Sequence, residues 1–313
     1  MRLLLVDGHY YLYRSFFAIR GLSNSRGEPT NAIYGFAKAL RKMIADVQPD
    51  HGAVIWDSGL PARRTTLQPA YKQNRPPMPE EMRPQEDWLQ AKVPLFGLAS
   101  LSQPNTEADD LIASYARVAE ASQHEVVIAT NDKDIMQLAG EHITIYSTAK
   151  ADVGTESFAR LGPAAIREKW GVDPQQIGDI LALTGDSADN IPGVGGVGAK
   201  TAARLLRDFG TLDHLLASLD QVQPEKLRAK LIEAHPLILA NREMVALDED
   251  LPLPLPLSEL QITPRYHELI AALRDCEFKG LLSEVEKEAA ASGQAPAPAA
   301  KPKPPSLAQG ELL

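Results

Sequence analysis

The sequence contains one cysteine, Cys276, in 313 residues. A single thiol excludes an internal disulfide framework and a thiolate zinc site, and without a neighbouring histidine Cys276 is assigned to packing. No apolar run is long enough to cross a bilayer, and the N-terminus enters a strand-like segment without a signal peptide. These absences predict a cytoplasmic protein that does not contact membrane.

Positive charge is also scarce, because 32 Lys and Arg face 41 Asp and Glu and leave a net charge of -9. This balance argues against a protein that coats nucleic acid nonspecifically, since phosphate binding depends on neutralising cations. It does not exclude a nuclease, whose metal-binding acids add negative charge while its basic residues cluster elsewhere. No phosphate-loop motif is present, so nucleotide hydrolysis is not predicted.

Carboxylates are concentrated where a helix is predicted to begin, in the run TEADDLI. Glu107, Asp109 and Asp110 precede the apolar residues of that helix. Like charges this close repel one another unless cations neutralise them, and oxygen-rich sites suit hard divalent ions. The alternative is an acidic first turn that complements the helix dipole.

Further acids follow predicted buried strands. The run LLLV ends at Asp7, AVIW ends at Asp57, and VVIAT leads to Asp132 and Asp134. Ligands of open α/β sheets lie at the carboxyl ends of the strands, so these acids are expected to gather near Glu107. The repetition favours a carboxylate metal cluster over ordinary helix capping.

The hydrophobic pattern predicts two domains and a tail. Residues 1–162 alternate strands and helices, which predicts an α/β domain with a mostly parallel sheet, and residues 163–287 carry successive helical patterns. Single helices are predicted at 84–98, 199–209 and 226–247. Residues 288–313 are rich in Pro and Ala, which predicts a disordered tail.

A basic segment at about 60–85 interleaves Arg63, Arg64, Tyr71, Lys72 and Arg75 with the proline run PPMP. It is interpreted as an arch that grips phosphate and stacks on bases, with a solvated basic loop as the alternative. In the first predicted helix, Arg14 serves either as a phosphate clamp or as the partner of a neighbouring acid.

The run GDSADNIPGVGGVGAKTA is the most informative in the second half. Asp186 and Asp189 are three apart, so both can add oxygen donors to the metal cluster. The glycines at 193–200 predict a hairpin between helices whose backbone N–H groups, together with Lys200, hold a DNA phosphate. Arg204 extends that basic face, and a glycine-rich connection without a ligand is the alternative.

Taken together, these motifs resemble the 5′ nuclease domain of bacterial DNA polymerase I, of the flap endonuclease family. The resemblance covers about residues 1–287. It rests on LLVDGHYYLYRSFFA, AIYGFAKAL, YKQNRPPMP, TEADDLIA, NDKDIMQL, ALTGDSADNIPGVGGVGAKTA and EFKGLL, in order. It implies a PIN-like 5′ nuclease fold followed by a helix-hairpin-helix region.

The resemblance also implies residue roles. Two Mg²⁺ ions, which Mn²⁺ can replace, are expected at two groups of acids: Asp7, Asp57, Glu107 and Asp109 for one, and Asp132, Asp134 and Asp186 for the other. Asp110 and Asp189 are expected to support them, largely through water. Arg14, Lys72 and Arg75 are expected at the scissile phosphate and Tyr71 stacked near the substrate. The expected duplex-binding set, with a K⁺ ion, is Gly193, Gly195, Gly196, Gly198, Lys200, Thr201 and Arg204.

The resulting hypothesis is a 5′-to-3′ exonuclease and flap endonuclease that uses two metal ions to hydrolyse DNA at flaps, nicks or RNA primers. No histidine base is expected, because none of the 7 His recurs near the acids at catalytic spacing. The alternatives are a metal-dependent RNase of PIN-like fold, a non-catalytic DNA-junction module and a helical adaptor.

The chain is expected to be a free-standing monomer. Gln309 to Leu313 resembles peptides that dock on the replication sliding clamp, and a tail without a partner is the alternative.

Overall fold

The structure, a computed structural model, describes residues 1–153 and 158–293. The described residues form a six-stranded sheet in the order β3-β2-β1-β4-β5-β6. Strands β1 to β5 are parallel, and β6 pairs antiparallel with β5. The strands are β1 Arg2–Asp7, β2 His51–Ile55, β3 Ala99–Leu101, β4 Glu125–Ala129, β5 Ile143–Ser147 and β6 Ala159–Leu161. The predicted mostly parallel α/β architecture is confirmed.

The central strands are apolar between their terminal residues because helices cover both faces of a parallel sheet. Leu3, Leu4, Leu5 and Val6 are fully buried in β1. Register places Asp7 beside Ile55, the last residue of β2, and Val6 beside Ala129, the last residue of β4. The carboxyl ends of β1, β2 and β4 therefore meet at one edge, where the predicted acids follow.

Helices connect the strands and continue after the sheet. Those within the α/β part are α1 Gly8–Ala18, α2 Asn31–Val47, α3 Ala62–Leu67, α4 Arg83–Lys92, α5 Ala108–Ala121 and α6 Lys150–Val153. The later ones are α7 Pro163–Trp170, α8 Ile177–Thr184, α9 Ala199–Phe209, α10 Leu212–Ala217, α11 Glu225–Glu233, α12 His235–Val245, α13 Tyr266–Asp275 and α14 Lys279–Ala291. The predicted succession of helices after residue 163 is therefore present.

Two predicted helices are shorter than expected. The pattern at 84–98 gives α4 and then a 3-10 turn, which ends at Gly97 with φ +96 before β3 begins. The pattern at 226–247 gives two helices, α11 and α12, because Pro236 has no N–H to donate and starts a new first turn. Strands β3 and β6, of three residues each, were not predicted.

The chain divides into two compact units, Met1–Pro264 and Arg265–Leu313. Within the first, one core joins the sheet to α8, α9 and α12. The predicted boundary at 162 thus falls between parts that share a core. In the second unit α13 packs against α14. Helix α14 runs to Ala291, so the tail predicted from 288 begins in a helix; its remainder from 294, with the clamp-like peptide, lies outside the described residues.

Candidate functional site

The first group of predicted ligands lies at the carboxyl edge of the sheet. Asp7 caps α1, where its carboxylate accepts the Tyr10 N–H at 2.9 Å, and its second oxygen accepts the Thr130 hydroxyl at 2.9 Å. Asp57 accepts the N–H of Ala108, at the start of α5, at 2.7 Å. The strand-end acids are thereby fixed by local hydrogen bonds beside the helix that carries Asp109.

A second group lies where the loop after β4 meets the loop after α8. One carboxylate oxygen each from Asp134, Asp186 and Asp189 lies within 4.8 Å of the others. The Asp134 N–H donates to Asp132 at 2.9 Å, so this loop holds both of its acids in one turn. Asp134 Oδ1 is buried without a hydrogen-bond partner, and Lys133 Nζ lies 2.8 Å from Asp186.

The charges of these acids oppose one another. Burial, together with repulsion from Asp57, raises the pKa of Asp7 from 3.8 to about 7. Burial and the charges of Asp132 and Asp7 raise the pKa of Asp109 well above its ordinary value. The pKa of Asp134 is raised likewise, by burial and then by Asp132 and the Asp186 charge. Buried carboxylates that repel one another in this way favour bound cations, which neutralise their charge.

Glu107, also predicted as a ligand, lies among cations. Its carboxylate pairs with Lys72 on one oxygen and with Arg64 on the other, and it accepts the Tyr71 hydroxyl at 3.1 Å. Burial alone would lower the pKa of Lys72, but the carboxylates of Glu107 and Asp189 outweigh it and raise the value. Glu107 thus joins the acidic edge to the basic segment.

Asp110 is predicted to support the metal site, and in the structure its carboxylate pairs with Arg64. It is 1% exposed and binds Arg64 through both oxygens at 2.7 Å, while it also accepts the Asp248 N–H at 3.0 Å. Neighbouring positions of a helix point in different directions, so Asp109 and Asp110 diverge. Asp110 is the buried counterion that holds Arg64 beneath Glu107.

Two arginines of the basic segment do not have the role predicted for them. Arg64 is 3% exposed and donates to the Met244 carbonyl, and Arg63 donates to the Ala246 carbonyl at 2.9 Å and pairs with Asp248 at 3.1 Å. Both side chains therefore anchor α3 to the chain after α12. They are not available to grip phosphate as predicted.

The placement of Tyr71, in the same segment, also differs from the prediction. Its ring is 5% exposed, and its hydroxyl lies 3.1 Å from both Glu107 and Asp189. Burial and those two charges raise its pKa above 10. A buried phenol that donates between two carboxylates has no free face for a base, so the predicted stacking role is not supported by this placement.

Lys72 and Arg75, by contrast, form ion pairs with the carboxylates of Glu107 and Asp189. Lys72 has φ +56, its N–H donates to the Asp189 carbonyl at 3.1 Å, and Arg75 pairs with the Asp189 carboxylate. Asn74 donates to the Ser187 carbonyl at 2.8 Å. The segment at 68–75 and the loop at 186–190 are therefore one hydrogen-bonded unit that sets two cations beside the second acidic group.

Arg14 is exposed, and its guanidinium donates to the Tyr10 hydroxyl at 3.1 Å and to the Thr148 carbonyl at 3.4 Å. Tyr10 in turn accepts from Asn131, in the loop that carries Asp132. Within the described part of the chain, Arg14 makes no ion pair with an acid. Two hydrogen bonds that share the Tyr10 hydroxyl thus connect Arg14 to Asn131, the residue before Asp132.

His9 was not predicted at the site, yet it lies beside Asp57. Its Nδ1 accepts the Asp57 N–H at 3.1 Å and lies 3.4 Å from the carboxylate, while Nε2 lies 2.9 Å from Glu86 of α4. Burial lowers its pKa, but the hydrogen bond to Glu86 and the charge of Asp57 raise it overall. Its place two residues after β1 brings it to the same edge as Asp57, which follows β2, whereas its contact with Glu86 of α4 has no signal in the sequence.

The glycine hairpin, residues 193–200, joins the loop after α8 to α9. Gly193 packs on backbone, since an added Cβ would lie 2.0 Å from the Thr184 carbonyl, so no larger residue fits at this position. Added Cβ atoms at Gly195 or Gly198 would meet nothing within 4 Å. The surface predicted to hold DNA, apart from half-buried Thr201, is exposed at Gly195, Gly196, Gly198, Lys200 and Arg204.

Comparison with known families decides the identity of this arrangement. The model of the 5′-3′ exonuclease N-terminal resolvase-like domain matches residues 2–171, and the model of the 5′-3′ exonuclease C-terminal SAM fold matches residues 172–268. The chain belongs to the 5′-3′ exonuclease family. The resemblance predicted from the motifs, and the nuclease class with it, are confirmed.

Curated relatives of this family are DNA polymerases I. The chain is 42% identical over 283 residues to the thermostable enzyme of Thermus thermophilus and 37% identical over 294 residues to that of Bacillus subtilis. These matches cover 90% and 94% of this chain but 33% of each relative. The chain thus spans about a third of the length of the relatives that it matches.

Solved structures share the fold. T5 5′-exonuclease with bound zinc superposes with a TM-score of 0.65 at 20% identity, over 92% of this chain and 98% of that one. The catalytic core of Rad2 in complex with DNA substrate gives 0.57 at 16% identity, over 88% and 87%. In the described part of the chain, no helix is both long and apolar enough to cross a membrane.

Proposed function

We propose that this chain is a metal-dependent 5′ nuclease that hydrolyses DNA phosphodiester bonds at 5′ flaps, nicks and primer ends in replication and repair. The observation that carries the proposal is the edge of the sheet, where two groups of acids adjoin Lys72 and Arg75. The loop that carries Asp186 and Asp189 runs directly into the glycine hairpin. Cutting and duplex-binding elements are therefore continuous in the chain.

The acids fit divalent cations. Asp134 Oδ1 is buried without a partner, and the donors around it are carboxylate oxygens, which suit Mg²⁺ or Mn²⁺ better than softer metals. Asp132, Asp134, Asp186 and Asp189 would hold one ion, and Asp7, Asp57, Glu107 and Asp109 the other. Ions held there would supply charge neutralisation and Lewis acidity at a phosphodiester.

The cations of this chain have a separate role. Lys72 and Arg75 rest on Glu107 and Asp189, so they lie next to the acids before any substrate arrives. A phosphate placed beside metal-neutralised carboxylates competes for the same ammonium and guanidinium groups. These two residues would then orient the phosphate and stabilise the charge that develops on it, while Thr130 holds Asp7 in position.

The partners follow from the hairpin. Its exposed glycines and Lys200 would bind the phosphate backbone of duplex DNA on the uncut side. Potassium at the hairpin, a monomeric state, location in the bacterial cytoplasm and clamp binding through Gln309 to Leu313 remain part of the proposal.

The test uses a 5′-flap duplex labelled at its 5′ end, with Mg²⁺ or with chelator. We expect cleavage only with the metal, and at least about a hundredfold slower single-turnover cleavage by Asp134→Asn. Asp87→Asn, an exposed position on α4, is the matched control and should cleave normally. Cleavage in chelator, or Asp134→Asn within about threefold of the parent, would refute the metal assignment; preference for an RNA strand without duplex would favour the RNase alternative.

A further inference from the structure

A lysine outside the predicted DNA-binding set lies against the glycine hairpin. Lys230, on α11, donates from Nζ to the carbonyl of Gly195 at 2.5 Å. Nζ also lies close to the next residue, because a Cβ added to Gly196 would lie 2.9 Å from it. The lysine joins elements 35 residues apart in sequence, which is why the sequence did not indicate it.

The carbonyl that Lys230 binds is the middle one of a tight turn. The N–H of Val197 donates to the Val194 carbonyl at 2.9 Å, and Gly196, the third residue of the turn, has φ +84. A turn with positive φ at its third residue but not at its second is a type II turn. The type I alternative differs chiefly by a flip of the central peptide, which joins Gly195 to Gly196.

That flip decides which polar group faces solvent. In a trans peptide the carbonyl and the N–H point in opposite directions, so a carbonyl held by Lys230 turns the Gly196 N–H the other way. Gly195 and Gly196 are both exposed. Across residues 1–153 and 158–293, no hydrogen bond uses the Gly196 N–H. After a flip, the carbonyl oxygen would face outward and repel a phosphate.

The lysine is itself held in place. The next residue, Leu231, is fully buried in the main core, so α11 cannot move away from the hairpin without exposing it. Arg228 of the same helix donates to the Asp220 carbonyl at 3.0 Å. The helix that carries Lys230 is therefore held beside the hairpin, within reach of the Gly195 carbonyl.

We propose that Lys230 is a positioning residue of the DNA-binding hairpin, which locks the Gly195 carbonyl inward so that the Gly196 N–H is presented to a duplex phosphate. The inference rests on the proposed function, because it needs the hairpin to bind duplex DNA. It differs from a direct ionic contact in that the group that meets the phosphate is a neutral backbone N–H.

The experiment measures binding of a 5′-flap duplex in Ca²⁺ by fluorescence anisotropy. Lys230→Met should weaken binding about tenfold, and Lys230→Arg, which still donates to a carbonyl, should restore most of it. Lys226→Met is the matched control, since it removes the same charge from an exposed position of the same helix. Single-turnover cleavage at saturating protein should stay within about twofold of the parent, because the cutting residues are untouched.

A double-mutant cycle separates positioning from simple loss of charge. Gly196→Ala opposes positive φ and so disturbs the same peptide, and its loss of binding should not add to that of Lys230→Met. Additive losses, equal effects of Lys230→Met and Lys226→Met, or no rescue by arginine would each overturn the inference. A parent protein that binds no duplex DNA would instead overturn the proposed function, so the two failures are distinguishable.

Discussion

Asp7 offers a quantitative test of the strain in the acidic edge. Its pKa is raised from 3.8 to about 7, so the folded protein binds this proton more tightly than the unfolded chain does. For a carboxyl raised on folding, stability is greatest at low pH, falls as pH rises above about 4, and levels off above about 7. Between about pH 5 and pH 8 this group should cost the metal-free fold roughly 2.5 kcal/mol, at 1.36 kcal/mol per pKa unit.

Asp7→Asn removes that dependence while it retains most of the local structure. Asparagine caps helices well and keeps an acceptor for the Tyr10 N–H, but its amide nitrogen cannot accept the Thr130 hydroxyl, which costs about 1 kcal/mol at every pH. The variant should therefore be about 3 kcal/mol more stable than the parent near pH 8 and less than about 1 kcal/mol more stable near pH 5.

The assay is urea unfolding in chelator at both pH values, with Asp87→Asn as the exposed control. Added Mg²⁺ near pH 8 should stabilise the parent more than the variant, because bound cations relieve the same repulsion. A difference between Asp7→Asn and the parent that is equal at the two pH values would refute the reasoning, since it would show that Asp7 does not gain a proton on folding.

Further predictions concern the surrounding residues. Arg64→Met should lower the free energy of unfolding by about 3–5 kcal/mol in a urea titration, because it leaves buried Asp110 without its cation and Glu107 with Lys72 alone; a loss below about 1 kcal/mol would contradict the buried network. Tyr71→Phe should lower the free energy of unfolding by about 1 kcal/mol in a urea titration, because it removes the hydroxyl that donates to Glu107 and Asp189, and an unchanged free energy of unfolding would contradict those hydrogen bonds. Gly193→Ala should destabilise the fold, measured as a lower melting temperature, because its Cβ meets backbone, whereas Gly195→Ala should melt with the parent and bind duplex DNA less well; equal melting temperatures would remove this distinction.

The sequence by itself determined the central strands of the sheet and the acids that follow them. Buried parallel strands are continuous apolar runs, so Leu3 to Val6 and Val126 to Ala129 could be recognised without neighbours, and the acids that follow them fall at one edge by topology. The family motifs could be recognised because they lie in short contiguous runs of the sequence. The helix at Ala199–Phe209 was likewise predicted with its observed bounds, because its apolar residues recur at helical spacing.

Only the tertiary structure decided what the charges and rings near those acids do. Periodicity reports which face of an element is buried but not which distant side chain meets it, so Arg64 was read as a surface cation although it lies beneath Glu107 and Asp110. Tyr71, Lys230 and His9 were misjudged or missed for the same reason. Their roles follow from contacts across 35 or more residues, and such contacts exist only after packing has placed two elements side by side.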